Sequence, residues 1–203
     1  GYFLNVVLPK SFTNFNNLIQ GFTEFTDTYK MDLLGGDTST HEGKIIIAVT
    51  VVAQVNKHTP RFNAQAGDSI YLTKNIGNAY LGFIDCKNQN FTTNSAKEYL
   101  MPSLVTIDTS NVNASMDISD GLLTDCHKMA LASSKCFEIN FNCLPITGKV
   151  SSQNYTQELL QNILNFGDDY NILTTGSMPP GVLTQTGSNC KKAIKIGTVK
   201  QCT

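Results

Sequence analysis

Three short acidic motifs hold the residues best suited to chemistry. They are Gly35-Gly36-Asp37-Thr38-Ser39, Met116-Asp117-Ile118-Ser119-Asp120-Gly121-Leu122 and Gly167-Asp168-Asp169-Tyr170. Each sets a carboxylate beside a glycine, a small hydroxyl residue or both. Mg²⁺ takes hard oxygen ligands, keeps several waters and is shared with substrate phosphates, so aspartates on tight turns suit it. The motifs lie far apart in sequence, and only a fold that gathers them could make one site.

Each motif also has a plain structural explanation. Asp37 follows two glycines at an expected strand end. It reads as a metal ligand, with the N–H groups of Gly36 and Asp37 open to a phosphate, or as an ordinary turn. Asp117 and Asp120 flank Ser119 where a strand becomes a helix. One acid there is a normal N-cap. Two converging carboxylates repel unless a cation sits between them, which favours function. Asp168 and Asp169 read equally well as site residues and as solvated acids of a helix C-cap turn. Arg61 could clamp phosphate bidentately, but a lone Arg is more often simply a surface residue. His41, His58 and His127 are scattered. No zinc-protease, P-loop, dinucleotide-fold or nucleophile-elbow motif occurs.

The positioning elements follow from periodicity. Residues 2–8 read as a strand closed by Pro9, with Ser11 as a helix N-cap. Phe12, Phe15, Leu18, Ile19, Phe22, Phe25 and Tyr29 then recur at helical spacing and form one core-facing stripe. A strand over 31–34 completes a βαβ-like segment ending at Gly35-Gly36-Asp37. Residues 45–55 read as a long buried strand. Further strands are expected over 69–73, 114–118, 137–141, 170–174 and 193–199. Helices are expected over 76–84, 95–100, 121–133 and 157–164, and a loop over 176–189. Strands and helices mix without strict alternation, which predicts α+β, with layered mixed sheets and helices. The predicted domains are 1–58 and 59–203.

The 203 residues are 41% hydrophobic and 15% charged, as in a soluble globular protein. Net charge is -1 with no Lys/Arg run, so no nucleic-acid partner is expected. No apolar stretch is long enough to span a bilayer, so no membrane partner is expected either. The six cysteines contain no C-x-x-C pair, and reduced thiols in a cytoplasmic protein are expected.

With these residues in hand, the chain resembles thiamine-monophosphate kinase, of the aminoimidazole ribonucleotide synthetase-like superfamily. The resemblance rests on Gly35-Gly36-Asp37-Thr38, Arg61 followed by Ala66-Gly67-Asp68-Ser69-Ile70-Tyr71, Met116 to Leu122, and Gly167-Asp168-Asp169-Tyr170. It implies the two-domain fold of that superfamily and transfer of the γ-phosphoryl of ATP to thiamine monophosphate, giving thiamine diphosphate, with Mg²⁺. Carried over by position, Gly36, Asp37, Arg61 and Ser119 meet ATP. Asp37, Asp117 and Asp120 hold Mg²⁺, and Asp168 sits at the substrate. A homodimer is expected. The resemblance also implies that residues 1–58 are the remainder of an amino-terminal domain, with both ends of the family pattern missing. Asp168 stands where the family has Glu, and Lys74 where glycine is usual. Loss of the first strands would leave residues 2–8 or 45–55 as an exposed sheet edge. The alternatives are a non-catalytic remnant that folds and binds nucleotide, and a superfamily member with another phosphate acceptor.

Overall fold

The computed structural model describes residues 1–147, 156–183 and 191–202. The chain divides into two compact units, Gly1–Asn56 and Lys57–Thr203.

The first unit contains β1 (Tyr2–Pro9), α1 (Phe15–Tyr29), β2 (Leu33–His41) and β3 (Ile46–Val51). β1 pairs parallel with β2 and antiparallel with β3, so β1–α1–β2 is the expected βαβ segment. β1 is therefore the central strand, and the exposed edges fall to β2 and β3 rather than to residues 2–8. The buried Tyr2 anchors α1, with its ring edge-on to Phe25 at 5.5 Å and its hydroxyl 3.0 Å from Thr26 Oγ1. Ser11 does not cap this helix. The Phe12 N–H donates to Pro9 O (2.9 Å) in a turn after β1, and the helix begins only at Phe15. β3 is shorter than expected, and its apolar residues are exposed, not buried (Ile46 53%, Val51 57%).

The glycine pair also departs from expectation, because it lies inside β2 rather than at a strand end. Asp37 is opposite Asn5 of β1. Gly36 has φ 156, and a Cβ there would overlap the carbonyl oxygen of Leu4. The glycine is thus required for close approach of two strands, whatever else it does.

The second unit runs β4 (Ser69–Leu72), α2 (Asn78–Lys87), α3 (Asn94–Leu100), β5 (Thr106–Ile107), β6 (Val112–Ile118), α4 (Leu122–Ser133), β7 (Cys136–Ile139), a 3-10 turn (Phe141–Cys143), α5 (Gln157–Asn165), β8 (Asn171–Gly176), β9 (Gly181–Leu183), β10 (Lys191–Lys192) and β11 (Ile194–Lys200). Five strands form one antiparallel sheet in the order β6-β8-β4-β11-β7. Alternation along β4 divides its side chains between the two faces. Ile70 and Leu72 join Ala114, Ile118, Leu173 and Ile196 in a core with Leu122 and Met129 of α4 and Ile163 of α5. Each fully buried Ile, Leu or Met among them contributes about 1.5–3 kcal/mol. Tyr71 packs with Val182 and Ala193 in a second cluster.

The architecture is α+β, as the mixed pattern indicated. A second small sheet, β10-β9-β5, was not expected. Its β9 lies in the stretch read as a loop over 176–189, of which residues 184–190 fall outside the described residues. Strands of two or three residues carry too little alternation to stand out.

The cysteine expectation is corrected in part. Cys136 and Cys202 form a disulfide, with Cα atoms 5.2 Å apart, tying β7 to the segment after β11. Cys86, Cys126 and Cys143 are free, and Cys190 is outside the described residues. Burial, helped by the Asp125 charge, pushes the Cys126 thiol up to about 12, so it is a core residue and not a reactive one. Among the described residues no helix is long and apolar enough to cross a membrane.

Candidate functional site

The second and third acidic motifs meet. β6 delivers Asp117, its last acid, opposite Ile172 of β8. The chain then turns through Ser119-Asp120-Gly121 into α4. The loop from α5 to β8 lies against this turn. Asp168 N–H donates to Ser119 O (3.1 Å), and Tyr170 N–H donates to Ile118 O (3.0 Å). A Cβ on Gly167 would overlap Ser119 O, so the glycine permits the approach. Two stretches remote in sequence thus form one surface bearing Asp117, Asp120 and Asp168.

Three of the residues that build this surface are not in the predicted set. Asp125, fully buried on the first turn of α4, accepts from Ser119 N (3.0 Å) and Asp120 N (2.9 Å) through Oδ2. It thereby satisfies donors of the turn and places its charge at the helix start, where anions are favoured. Its Oδ1 accepts from Lys128 Nζ (2.7 Å), which also contacts Asp120 Oδ2. These carboxylate acceptors raise the Lys128 ammonium above its ordinary value, Asp120 and then Asp125 being the largest causes. The signal for Asp125 was present in the sequence: a carboxylate stands within the apolar stripe of Leu122, Cys126 and Met129.

Tyr170 is the third. Its ring is 41% exposed, and its hydroxyl donates to Asp168 Oδ1 (3.2 Å). The Asp168 charge, then burial, the Asp168 hydrogen bond and the Asp117 charge raise the phenol above its usual value. Asp168 and Tyr170 both hold positive φ (64 and 43), a conformation that costs a non-glycine residue roughly 1–3 kcal/mol and clusters at working sites.

The neighbouring polar residues are structural. Asp169 is buried and accepts from Gly77 N (3.1 Å) and Ala79 N (3.3 Å) at the start of α2. Burial raises its pKa, opposed by those two donors. Asn171 is fully buried; its Oδ1 accepts from Thr73 N, Thr73 Oγ1 and Lys74 N, and its Nδ2 donates to Lys74 O (2.6 Å). Lys74 Nζ bonds Glu98 Oε1 and Ser103 O, both at 3.0 Å, fastening the loop after β4 to the end of α3. Burial works against the Glu98 charge, but Lys74 and Ser103 outweigh it and lower the carboxyl pKa. Asp68, in the Ala66–Tyr71 stretch, accepts from Asn113 Nδ2 at 2.9 Å and is likewise structural.

Arg61 is not brought to this surface by its backbone. Its carbonyl accepts from Ser133 Oγ (3.1 Å), at the far end of α4 from Asp120. A twelve-residue helix is about 18 Å long. Gly36 and Asp37 belong to the first unit, on β2. Among the described residues no group of three or more His, Cys, Asp or Glu stands close enough to hold a metal by itself.

No family model matches the chain. Among curated proteins, it is 32% identical over 185 residues to a thiamine-monophosphate kinase of Buchnera aphidicola from Schizaphis graminum, covering 85% of this chain and 57% of that protein. It is similar to thiamine-monophosphate kinases. A second Buchnera aphidicola kinase, from Acyrthosiphon pisum, is 30% identical over 190 residues with the same coverage. The thiamine-monophosphate kinase-like chain thus spans 57% of the length of these curated relatives. Among solved structures, AaThiL complexed with AMPPCP and TMP superposes with TM-score 0.80 at 24% identity, over 99% of this chain and 67% of that one. Thiamine monophosphate kinase from Aquifex aeolicus gives 0.79 at 24% identity, over 98% and 70%. Escherichia coli HypE, a hydrogenase maturation protein, gives 0.68 at 18% identity, over 99% and 67%. These likenesses establish the aminoimidazole ribonucleotide synthetase-like α+β fold.

Proposed function

We propose that the chain carries out, or forms the greater part of, an ATP- and Mg²⁺-dependent transfer of phosphoryl to thiamine monophosphate, giving thiamine diphosphate. The observation that carries this reading is the bond between Asp168 N and Ser119 O, which joins two of the motifs on which the kinase likeness rests. The curated relatives are thiamine-monophosphate kinases, and AaThiL is complexed with AMPPCP and TMP. A homodimer formed through the first unit belongs to the same reading; the exposed edge strand β3 supports it.

The donor set fits Mg²⁺. That ion is usually held by one or two carboxylates plus substrate phosphates rather than by an all-protein cage. Asp117 and Asp120 are exposed carboxylates beside a helix start and suit such sharing. By the same likeness Asp37, on β2, is a further candidate Mg²⁺ ligand. Bound there, Mg²⁺ would neutralise charge building up on the transferring phosphoryl group. The protein's own part is alignment. Ser119 and Asp120 offer a turn whose backbone is locked by Asp125, and Gly36 offers an open stretch of β2. By the likeness Arg61 would meet nucleotide phosphate, and with its backbone beside Ser133 it would do so toward the other end of α4 from Asp120. Asp168, held by Tyr170 and Ser119, would position the acceptor. In the reaction the bond from the β,γ-bridging oxygen to the γ-phosphorus breaks, and a phosphate oxygen of thiamine monophosphate takes that phosphorus.

The test is thiamine diphosphate formation by the purified chain from ATP, Mg²⁺ and thiamine monophosphate, with Asp117→Asn as control. Turnover lost in the variant is expected. Nucleotide binding without turnover would support the non-catalytic alternative. Binding of neither substrate would overturn the reading.

A further inference from the structure

Lys128 is paired with Asp120, the exposed carboxylate of the turn before α4. Its ammonium contacts Asp120 Oδ2 while bonding Asp125 Oδ1 at 2.7 Å. The two carboxylates differ sharply: the Asp120 side chain is 61% exposed and that of Asp125 is fully buried. Asp125 is also fixed by the N–H groups of Ser119 and Asp120. One contact of Lys128 is therefore a buried anchor, and the other is a solvent-facing pair that can exchange.

We propose that Lys128 is a built-in counter-cation of the acidic site, holding Asp120 until a divalent cation displaces it. This rests on the proposed role of Asp120 in metal binding. Asp125 and Asp120 both bear a carboxylate on the one ammonium, and without Lys128 both charges would lack a partner cation. With it, Asp120 is neutralised and the turn is kept in shape. A divalent cation arriving at Asp120 meets the Lys128 ammonium and is repelled by it until the ammonium moves aside. Exposed ion pairs are weak, so displacement is feasible. Bare metal is disfavoured as a result. Metal accompanied by nucleotide phosphate is not, because the phosphate can accept the displaced ammonium.

The test is Mn²⁺ binding in the absence of nucleotide, followed by electron paramagnetic resonance titration of free Mn²⁺. Lys128→Met should bind about tenfold more tightly than the wild type, and Lys128→Arg should stay near it. Lys128→Gln, which can still donate toward Asp125, should follow Lys128→Met if the latter folds poorly. In the unaltered protein, acetylation of Lys128 by acetic anhydride should quicken several-fold on adding Mn²⁺. Equal Mn²⁺ affinity in wild type and both neutral variants, or labelling that Mn²⁺ leaves unchanged, overturns the counter-cation. Absence of Mn²⁺ binding in every form overturns it together with the metal site at Asp120.

Discussion

The backbone N–H of Asp168 lies 3.1 Å from the carbonyl oxygen of Ser119, and this bond makes one surface out of two motifs. Gly167 is what allows it, since a Cβ there would overlap the same oxygen. Gly167→Ala should therefore drive the α5–β8 loop away from the turn. We expect a loss of about 1–3 kcal/mol in urea unfolding, together with at least tenfold weaker binding of both nucleotide and thiamine monophosphate. Unchanged affinity would show that the two motifs do not act as one site.

Asp125→Ala removes the acceptor for two turn N–H groups and leaves Lys128 with Asp120 alone. Leaving those turn donors without their acceptor costs about 1–3 kcal/mol. Asp125→Asn keeps an acceptor and should cost roughly half that. Chemical denaturation of the three proteins gives the ranking directly.

Asp120→Asn should behave in the opposite way. Its side chain is 61% exposed, and its loss leaves the Asp125–Lys128 bond intact. Stability should change by less than about 0.5 kcal/mol, while Mg-nucleotide affinity falls. Equal affinity in a calorimetric titration would remove Asp120 from the metal set.

Asp169 and Glu98 should give stability opposite pH slopes. Burial raises the Asp169 carboxyl, so the folded state holds its proton above the ordinary value of 3.8. The unfolded state then binds fewer protons, and this contribution to stability falls as pH climbs from that value through the raised one. Glu98 is lowered in the fold, so its contribution is present above the ordinary 4.5 and is lost as pH falls through the lowered value. Asp169→Asn should flatten the decline on the upper side, and Glu98→Gln should flatten the loss on the acid side. Denaturation midpoints from pH 3 to 7 separate the two.

Reduction of the Cys136–Cys202 disulfide opens a loop of 66 residues. Cys202→Ser should lower stability by about 2–4 kcal/mol, with nucleotide binding retained, because the bond lies at the β7 edge of the sheet and the acidic motifs at the β6–β8 edge. A mass shift on alkylation with and without reductant confirms the bond first.

The sequence by itself determined the local pieces. The stripe from Phe15 to Tyr29, the alternation in residues 69–72 and 112–118, and the apolar face of residues 122–133 each report on a single element, because helical and extended periods are written in neighbouring residues. The need for glycine at positions 36 and 167 was visible as a motif, but its cause was not. Only the tertiary structure decided which backbones those glycines must approach. It alone put Gly36 inside a paired strand, Arg61 at the far end of α4 from Asp120, and Cys136 beside Cys202. Asp168 and Asp169 are adjacent and chemically alike, yet one faces the surface and the other caps α2 from within. Side chains that alternate across a chain leaving a tight loop are sent to different surroundings, and what awaits them there is set by residues remote in sequence. The same holds for Asp125. Its carboxylate reads as an anomaly on a helix face until the turn that it holds is folded around it.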